Sequence, residues 1–340
     1  MKNKKWISLA AAIVLAVTAL PMTAFAAKKD GAEEKITKVT LNEVAHSIFY
    51  APQYVAIEEG YFAEEGLDLT LVTGFGADKV LTALISGEAD IGFMGAEASI
   101  YAYQEGATDP AVNFAQLTQR AGNFLVAREE MSDFKWEDLK GKKVLGGRKG
   151  GMPEMVFEYI LKKNGIDPQK DLTIDQSIDF GSTAAAFTGD DSAAYTVEFE
   201  PSATILEKEG AGYVVASLGE ASGYVPYTSY SAKESYMKEN SEIIQKFTNA
   251  LQKGMDYVQS HTPEEIAEVI APQFKETDLD TITTIVKRYY DQDTWKENLI
   301  FEKDSFELLQ DILEDAGELN TRAEYEKLVE TEYAQKACES

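Results

Sequence analysis

VTLNEVAHSIFYAPQYVAIEEGYFAEEGLDLTLVTGFGADKVLTALISGEADIGFMG, residues 39–95, reads as two strand–loop–helix units leading into a third strand. Residues 39–44 are strand-like, and a loop carrying His46, Ser47, Phe49 and Tyr50 follows. Pro52 sits where the first turn of a helix accepts it, because that turn has no intrahelical N–H to lose. Gly60 ends this helix, and Gly66 ends the short turn after it. Residues 67–72 alternate apolar and polar side chains as a half-buried strand does, and Gly74-Phe75-Gly76 makes the next turn. Val80, Leu81, Leu84 and Ile85 recur at helical spacing up to Gly87, ahead of the strand Ile91-Gly92-Phe93. Strands alternating with helices predict parallel pairing through right-handed crossovers. Ligands settle at the carboxyl ends of such strands, so the loops 45–51, 73–77 and 94–97 are expected to converge on one site.

Residues 1–26 have the form of a secretory leader. Lys2, Lys4 and Lys5 precede an apolar run over 6–20, and Ala24-Phe25-Ala26 forms the expected cleavage site. The apolar run is too short for a spanning helix, and no other stretch is apolar enough to cross a bilayer. Cleavage after Ala26 would deliver the chain to the periplasm or the cell surface. No lipobox cysteine lies near that point, and the one cysteine, Cys338, leaves no internal disulfide to form. Net charge is −26, and −29 once the acid-free leader takes away its three lysines. So acidic a chain argues against nucleic acid and anionic lipid as partners. A small anion stays compatible, since helix N-termini hold one locally.

Residues 27–37 read as a flexible lead-in. After the opening units come a strand at 112–117 and the pair Gly122-Asn123, where a second α/β pattern starts. Its expected strands are 143–146, 172–178, 194–199 and 210–217, with Pro153 and Pro201 opening helices. Beyond Gly223 the chain turns almost wholly helical, over 241–259, 278–290, 304–316 and from 321 onward. Thr262 with Glu265 makes a capping box at a further helix start. The expected fold class is therefore α/β with two lobes. Lobe 1 comprises 38–122 and 230–316, lobe 2 comprises 123–229, and 317–340 is a helical tail packed with the C-terminal region on lobe 1. Crossings near 123–128 and 223–231 are expected to hinge the lobes.

The run Ala51-Pro52-Gln53-Tyr54-Val55-Ala56, then Glu59-Gly60-Tyr61-Phe62-Ala63-Glu64-Glu65-Gly66-Leu67, resembles the opening of solute-binding proteins of the nitrate/sulfonate/taurine ABC-importer group. This is the SsuA/THI5-like (NMT1-like) superfamily. Later blocks are similar in the same order: LISGEADIG at 84–92, DLKGKKV at 138–144 and EPSA at 200–203. The resemblance spans about residues 38–260. It implies the periplasmic binding protein type II fold, capture of a small solute in the cleft, and delivery to an ABC permease with its ATPase. The family also holds binders of thiamine-precursor pyrimidines and a fungal pyrimidine synthase. The synthase's cysteine-rich segment has no counterpart here.

Candidate ligand contacts follow from position. His46, at the first strand end, is either a ligand donor or a packed histidine. Ser47 shares its loop. Phe49, Tyr50 and Phe75, the last beside Gly76, either stack on a planar ligand or belong to the core. Gly95 offers a backbone N–H to an anion, and Glu97 suits the helix start it opens. Arg120 would clamp a sulfonate or carboxylate, or pair with a neighbour. The turn at 146–151, with Gly147, Arg148 and Gly151, lacks the spacing of a nucleotide loop but leads into a helix that would present N–H groups. Ser182 and Thr183 bring hydroxyls to another helix start. Glu198 and Glu200, two apart on a strand end, are expected on one face. In the resembling family the Glu-Pro pair recurs with different ligands, so Glu200 is either a ligand contact or a structural residue. Tyr227 lies in the return segment.

Two ligand classes stay open. Glycine-rich helix starts with Arg120 and Arg148 suit a small sulfonate, nitrate or taurine-like solute. The aromatics with Glu198 and Glu200 suit a planar nitrogen heterocycle. His46 and His261 are the only histidines and stand far apart, so no metal or other cofactor is expected. No nucleophile elbow occurs, so the chain is read as a monomeric binding protein and not as an enzyme.

Overall fold

Alternation at Val39, Leu41 and Glu43 buries one side of the first strand and sets the register of everything beside it. The protein, described by a computed structural model over residues 36–339, has ten strands. They are β1 (Thr37–Glu43), β2 (Leu67–Thr73), β3 (Ile91–Met94), β4 (Ala111–Thr118), β5 (Asn123–Ala127), β6 (Lys143–Leu145), β7 (Thr173–Asp175), β8 (Tyr195–Phe199), β9 (Tyr213–Ser217) and β10 (Thr228–Lys233). The expected leader and nearly all of the lead-in lie outside the described residues. Among those described, no helix is long and apolar enough to cross a membrane.

The strands form two five-stranded sheets, ordered β2-β1-β3-β10-β4 and β7-β6-β8-β5-β9. Pairing is parallel between β1 and its neighbours β2 and β3, and between β6 and its neighbours β7 and β8. Each sheet departs from the all-parallel expectation at one strand, β10 in the first and β5 in the second. The cause is topological. β4 ends where β3 ends, the chain crosses there, and β5 must enter the second sheet from that shared edge. β9 likewise ends at the edge from which β10 returns. The crossings consequently fall at 119–122 and 218–227, not at 123–128 and 223–231, because Asn123–Ala127 is a fully buried strand paired on both sides.

The helices are α1 (Ala51–Glu58), α2 (Tyr61–Glu64), α3 (Ala77–Ser86), α4 (Glu97–Gln104), α5 (Met152–Lys163), α6 (Thr183–Gly189), α7 (Ser202–Lys208), α8 (Leu218–Ser222), α9 (Glu234–Glu239), α10 (Ser241–Ser260), α11 (Pro263–Ile270), α12 (Leu279–Asp291), α13 (Lys303–Asp315), α14 (Tyr325–Leu328) and α15 (Glu332–Ala337). Thr262 and Glu265 form the expected capping box on α11. The helix expected from 321 onward is two short ones. Between them Val329 is extended and bridges to Asn113 of β4, which takes its backbone out of helical register. The C-terminal helices touch both sheets' surroundings. α10 packs on α1 and α2, whereas α13 packs on α5 and α12 sends Arg288 to Glu200 and Glu207.

At the α1–α10 crossing, Gly254 is so close to the Pro52 carbonyl that a Cβ would collide with backbone. Gly254→Ala is expected to destabilise the protein by about 1–3 kcal/mol through overpacking. Urea unfolding checks this, and an unchanged midpoint would contradict the contact.

Candidate functional site

The shared edge of the two sheets is a seam lined by strand ends. From the first sheet, the loop after β1 buries Phe49 and Tyr50. Phe49 packs edge-on against Phe199 at the end of β8 (centroids 5.9 Å) and Tyr227 just before β10 (5.6 Å). Gly122 in the first crossing faces that ring, and a Cβ there would lie 2.7 Å from it. Ser47 caps the turn holding Phe49 and donates its Oγ to the Glu200 carbonyl across the seam at 3.2 Å. Trp295 Nε1 donates to the Phe49 carbonyl, and the Tyr289 hydroxyl to that of Gly122, both at 2.9 Å.

Beside this packed part lies a cavity of about 850 Å³ between α3 and α4, lined also by the turn 148–150 of the second sheet's half. Two ion pairs cross it, Arg148 with Asp78 at 3.6 Å and Lys149 with Glu318 at 3.3 Å. The Tyr101 hydroxyl reaches the Gly150 carbonyl at 3.5 Å.

Three helices start at the seam, and each start carries a carboxyl group of the chain itself. Glu97 folds back over Gly95 at the start of α4, held by its own backbone N–H. It is 4% exposed, lines the cavity, and its Oε2 has no hydrogen-bond partner among the described residues. Burial pushes its pKa up to about 7, against a smaller opposing pull from Arg148. Glu154 in the first turn of α5 accepts the Gly150 N–H at 3.1 Å and Gln176 Nε2 at 2.5 Å. Burial first, and then the Glu158 carboxyl, raise its pKa as well. Glu198 of β8 accepts from Thr183, the first residue of α6, at 3.0 Å and from Thr196 at 2.6 Å. Burial raises it to about 7. The N–H groups of Glu97 and Gly150 thus already face carboxyl oxygens, while Glu198 takes the Thr183 and Thr196 hydroxyls.

The structure brings Ser47, Phe49, Tyr50, Gly95, Glu97, Thr183, Glu198, Glu200 and Tyr227 to the seam, with Gly147, Arg148 and Gly151 on its far side. It does not unite all the candidates. His46 is committed within the first sheet's half, Nδ1 to Glu43 at 2.8 Å and Nε2 to the Gln273 carbonyl at 2.9 Å. The Glu43 hydrogen bond raises its pKa, ahead of the opposing effect of burial. Phe75, with φ of 57°, stands 74% exposed at the β2–α3 turn, and Gly76 gives its N–H to the Val44 carbonyl. Arg120 lies over the Tyr224 ring and donates to the Gly219 carbonyl at 3.1 Å, so it is a brace of the crossings. Ser182 is exposed and makes no side-chain cap.

Glu200 does not share a face with Glu198. β8 ends at Phe199, alternation lapses there, and Glu200 turns to Thr204 and to Arg288 at 2.8 Å. This supports its structural reading.

Sequence reasoning missed Asn123, Tyr101, Glu154 and Arg288. Asn123 accepts from the Tyr227 hydroxyl at 2.6 Å while its own Nδ2 is buried without a partner among the described residues. The polar residue opening an apolar strand, Asn123 before Phe-Leu-Val-Ala, was a usable signal. Arg288 had none, since its partner lies 88 residues away.

A family model described as NMT1/THI5 like matches residues 48–266. YtlA, a presumptive binding protein of Bacillus subtilis (strain 168), is 47% identical over 332 residues, covering 98% of both chains. The 4-amino-5-hydroxymethyl-2-methylpyrimidine phosphate synthase THI11 of Saccharomyces cerevisiae is 24% identical over 225 residues, 62% of this chain and 63% of that one. Among solved structures, the alkanesulfonate-binding protein SsuA from Xanthomonas axonopodis pv. citri, bound to MOPS, superposes with a TM-score of 0.69 at 15% identity, covering 87% and 99% of the chains. That likeness is one of fold.

Glu198 binds its proton more tightly folded than unfolded. Its stabilising share is complete below pH 4.5 and is lost as pH rises to about 7. Glu198→Gln keeps the shape and removes the titration. Relative to wild type, the variant is expected to gain on the order of 2–3 kcal/mol between pH 5 and pH 8. Urea unfolding at the two pH values reads this, and parallel profiles would contradict it.

Proposed function

Since the chain belongs to the NMT1/THI5-like family, we propose that it is the exported solute-binding component of an ABC importer, catching a small solute at the seam. The observation that carries the reading is the topology. Strand ends of both sheets meet along one edge, and among the described residues the chain passes from strand to strand between the sheets at 119–122 and 218–227. Two α/β lobes so joined rotate about the crossings, and a solute that touches both lobes shifts the population toward the closed form. The proposed lobes are 38–122 with 230–316, and 123–229, with 317–340 as a tail. The return point is set at Thr228, where β10 enters the first sheet.

The arrangement described is compatible with the closed form. The contact of Phe49 with Phe199 and the pair Arg148–Asp78 both span the seam. Closed lobes would dock on a membrane permease, the acidic surface meeting basic residues there. Secretion through the leader at 1–26, with cleavage after Ala26 and no lipid attachment, completes the proposal, and the protein acts as a monomer. The name of YtlA supports a binder over an enzyme. The synthase relatives share only about three fifths of either chain.

A solute at a hundredfold excess over its Kd is expected to add about 2.7 kcal/mol of stability and to lower the radius of gyration in small-angle scattering of the partly open apo protein. Gly122→Ala, which drives a Cβ into the Phe49 ring, is expected to hold the protein more open and weaken capture. If no solute in a broad screen produced compaction, the capture reading would fall.

A further inference from the structure

Resting on the capture reading, the charges in the cavity say what kind of solute it takes. Asp78, Glu97, Glu105, Asp109 and Glu318 stand there against Arg148, Lys149 and Lys233. Arg148 is matched by Asp78 and Lys149 by Glu318, so neither is free for an anion. Lys233 lies at the outer end, where it acts on Asp109. Arg120 donates to the Gly219 carbonyl, lies over the Tyr224 ring and keeps Nε buried without a partner among the described residues, but it does not line the cavity. The turn that would present N–H groups to an anion gives one of them, at Gly150, to Glu154.

What is left over at the inner end is Glu97. The residue lines the cavity one turn before Tyr101 on the same helix, and its Oε2 is buried against Gly95 with no partner among the described residues. An unpaired buried acceptor is costly unless something donates to it. An anion brought here would face a second unfavourable charge. A cation carrying N–H groups would satisfy the oxygen, gain from its charge, and lie against the aromatic face of Tyr101.

We propose that Glu97 is the specificity-determining residue of the cleft and that the solute is a small organic cation with N–H donors, such as an amidinium, a guanidinium or a protonated ring nitrogen. Glu97 turns its carboxyl group from Gly95 into the cavity and accepts the solute's N–H, Tyr101 flanks it, and the Arg148–Asp78 pair lines the same cavity. Sulfonates, nitrate and carboxylates are rejected by the same groups.

The test uses three monosubstituted benzenes of similar shape, benzamidine, benzoate and benzenesulfonate, with the full protein. Isothermal titration and thermal shift are expected to show binding of benzamidine and none of the two anions. Glu97→Gln is expected to weaken benzamidine binding at least tenfold while near-ultraviolet dichroism stays unchanged. Arg148→Gln, which frees Asp78, is expected to tighten it, and this second variant keeps the test sound if the first folds poorly. Preference for either anion, equal benzamidine affinity in wild type and Glu97→Gln, or no binding of any of the three would overturn the assignment. Compaction on binding a sulfonate would overturn the cation and leave solute capture standing. Absence of compaction with every solute tried would overturn capture itself.

Discussion

A helix that begins at a buried seam leaves backbone N–H groups pointing into it, and those groups need acceptors. This protein meets part of that need from within: Glu97 accepts its own N–H at the start of α4 and Glu154 the Gly150 N–H before α5, while Glu198 takes the Thr183 hydroxyl at the start of α6. The consequence reaches well past local bonding. Each carboxyl is taken out of water, each has its pKa raised by that burial, and the seam becomes acidic where an anion cradle would otherwise have formed. Glu154 and Glu198 have hydrogen-bonding side chains around them, and Glu97 keeps one oxygen free. That asymmetry separates two supporting acids from one placed to meet a solute.

The seam exists because of how the chain crosses. A strand ending at the shared edge forces the next to start there, so one antiparallel strand in each sheet records each crossing. The second support is the buried pair of Arg288 with Glu200. It ties α12 to the segment after β8, and the neighbouring Glu200 carbonyl receives Ser47. Breaking one partner would strand the other charge in a place with little water. The crossings can hinge only within what these ties permit.

Much of the fold was legible because it is written in short range. Alternation in 67–72, the helical recurrence of Val80, Leu81, Leu84 and Ile85, and the Thr262–Glu265 box all appear in the structure as strand, helix and cap. The order of crossings was legible too, but their positions slipped by a few residues, since Asn123 belongs to a strand whose partners lie 68 and more residues downstream. The site was less legible for the same reason. A carboxylate's role depends on what surrounds it, and Glu97 reads in sequence as an ordinary helix-start acid. Only packing shows that its second oxygen has nothing to bind. Phe75 and Arg120 failed in the opposite direction, carrying suitable chemistry but facing solvent or a neighbouring ring.

The burial of an unpaired Glu97 oxygen is therefore the point on which the site's chemistry turns, and it can be observed directly. Carbon-13 NMR of glutamate-labelled protein, with the Glu97 carboxyl assigned by comparison with Glu97→Gln, follows its titration in the absence of solute. A midpoint near pH 7 is expected. A midpoint at the ordinary carboxyl value of about 4.5 would mean that Glu97 faces water, and the acidic cleft would have to be abandoned.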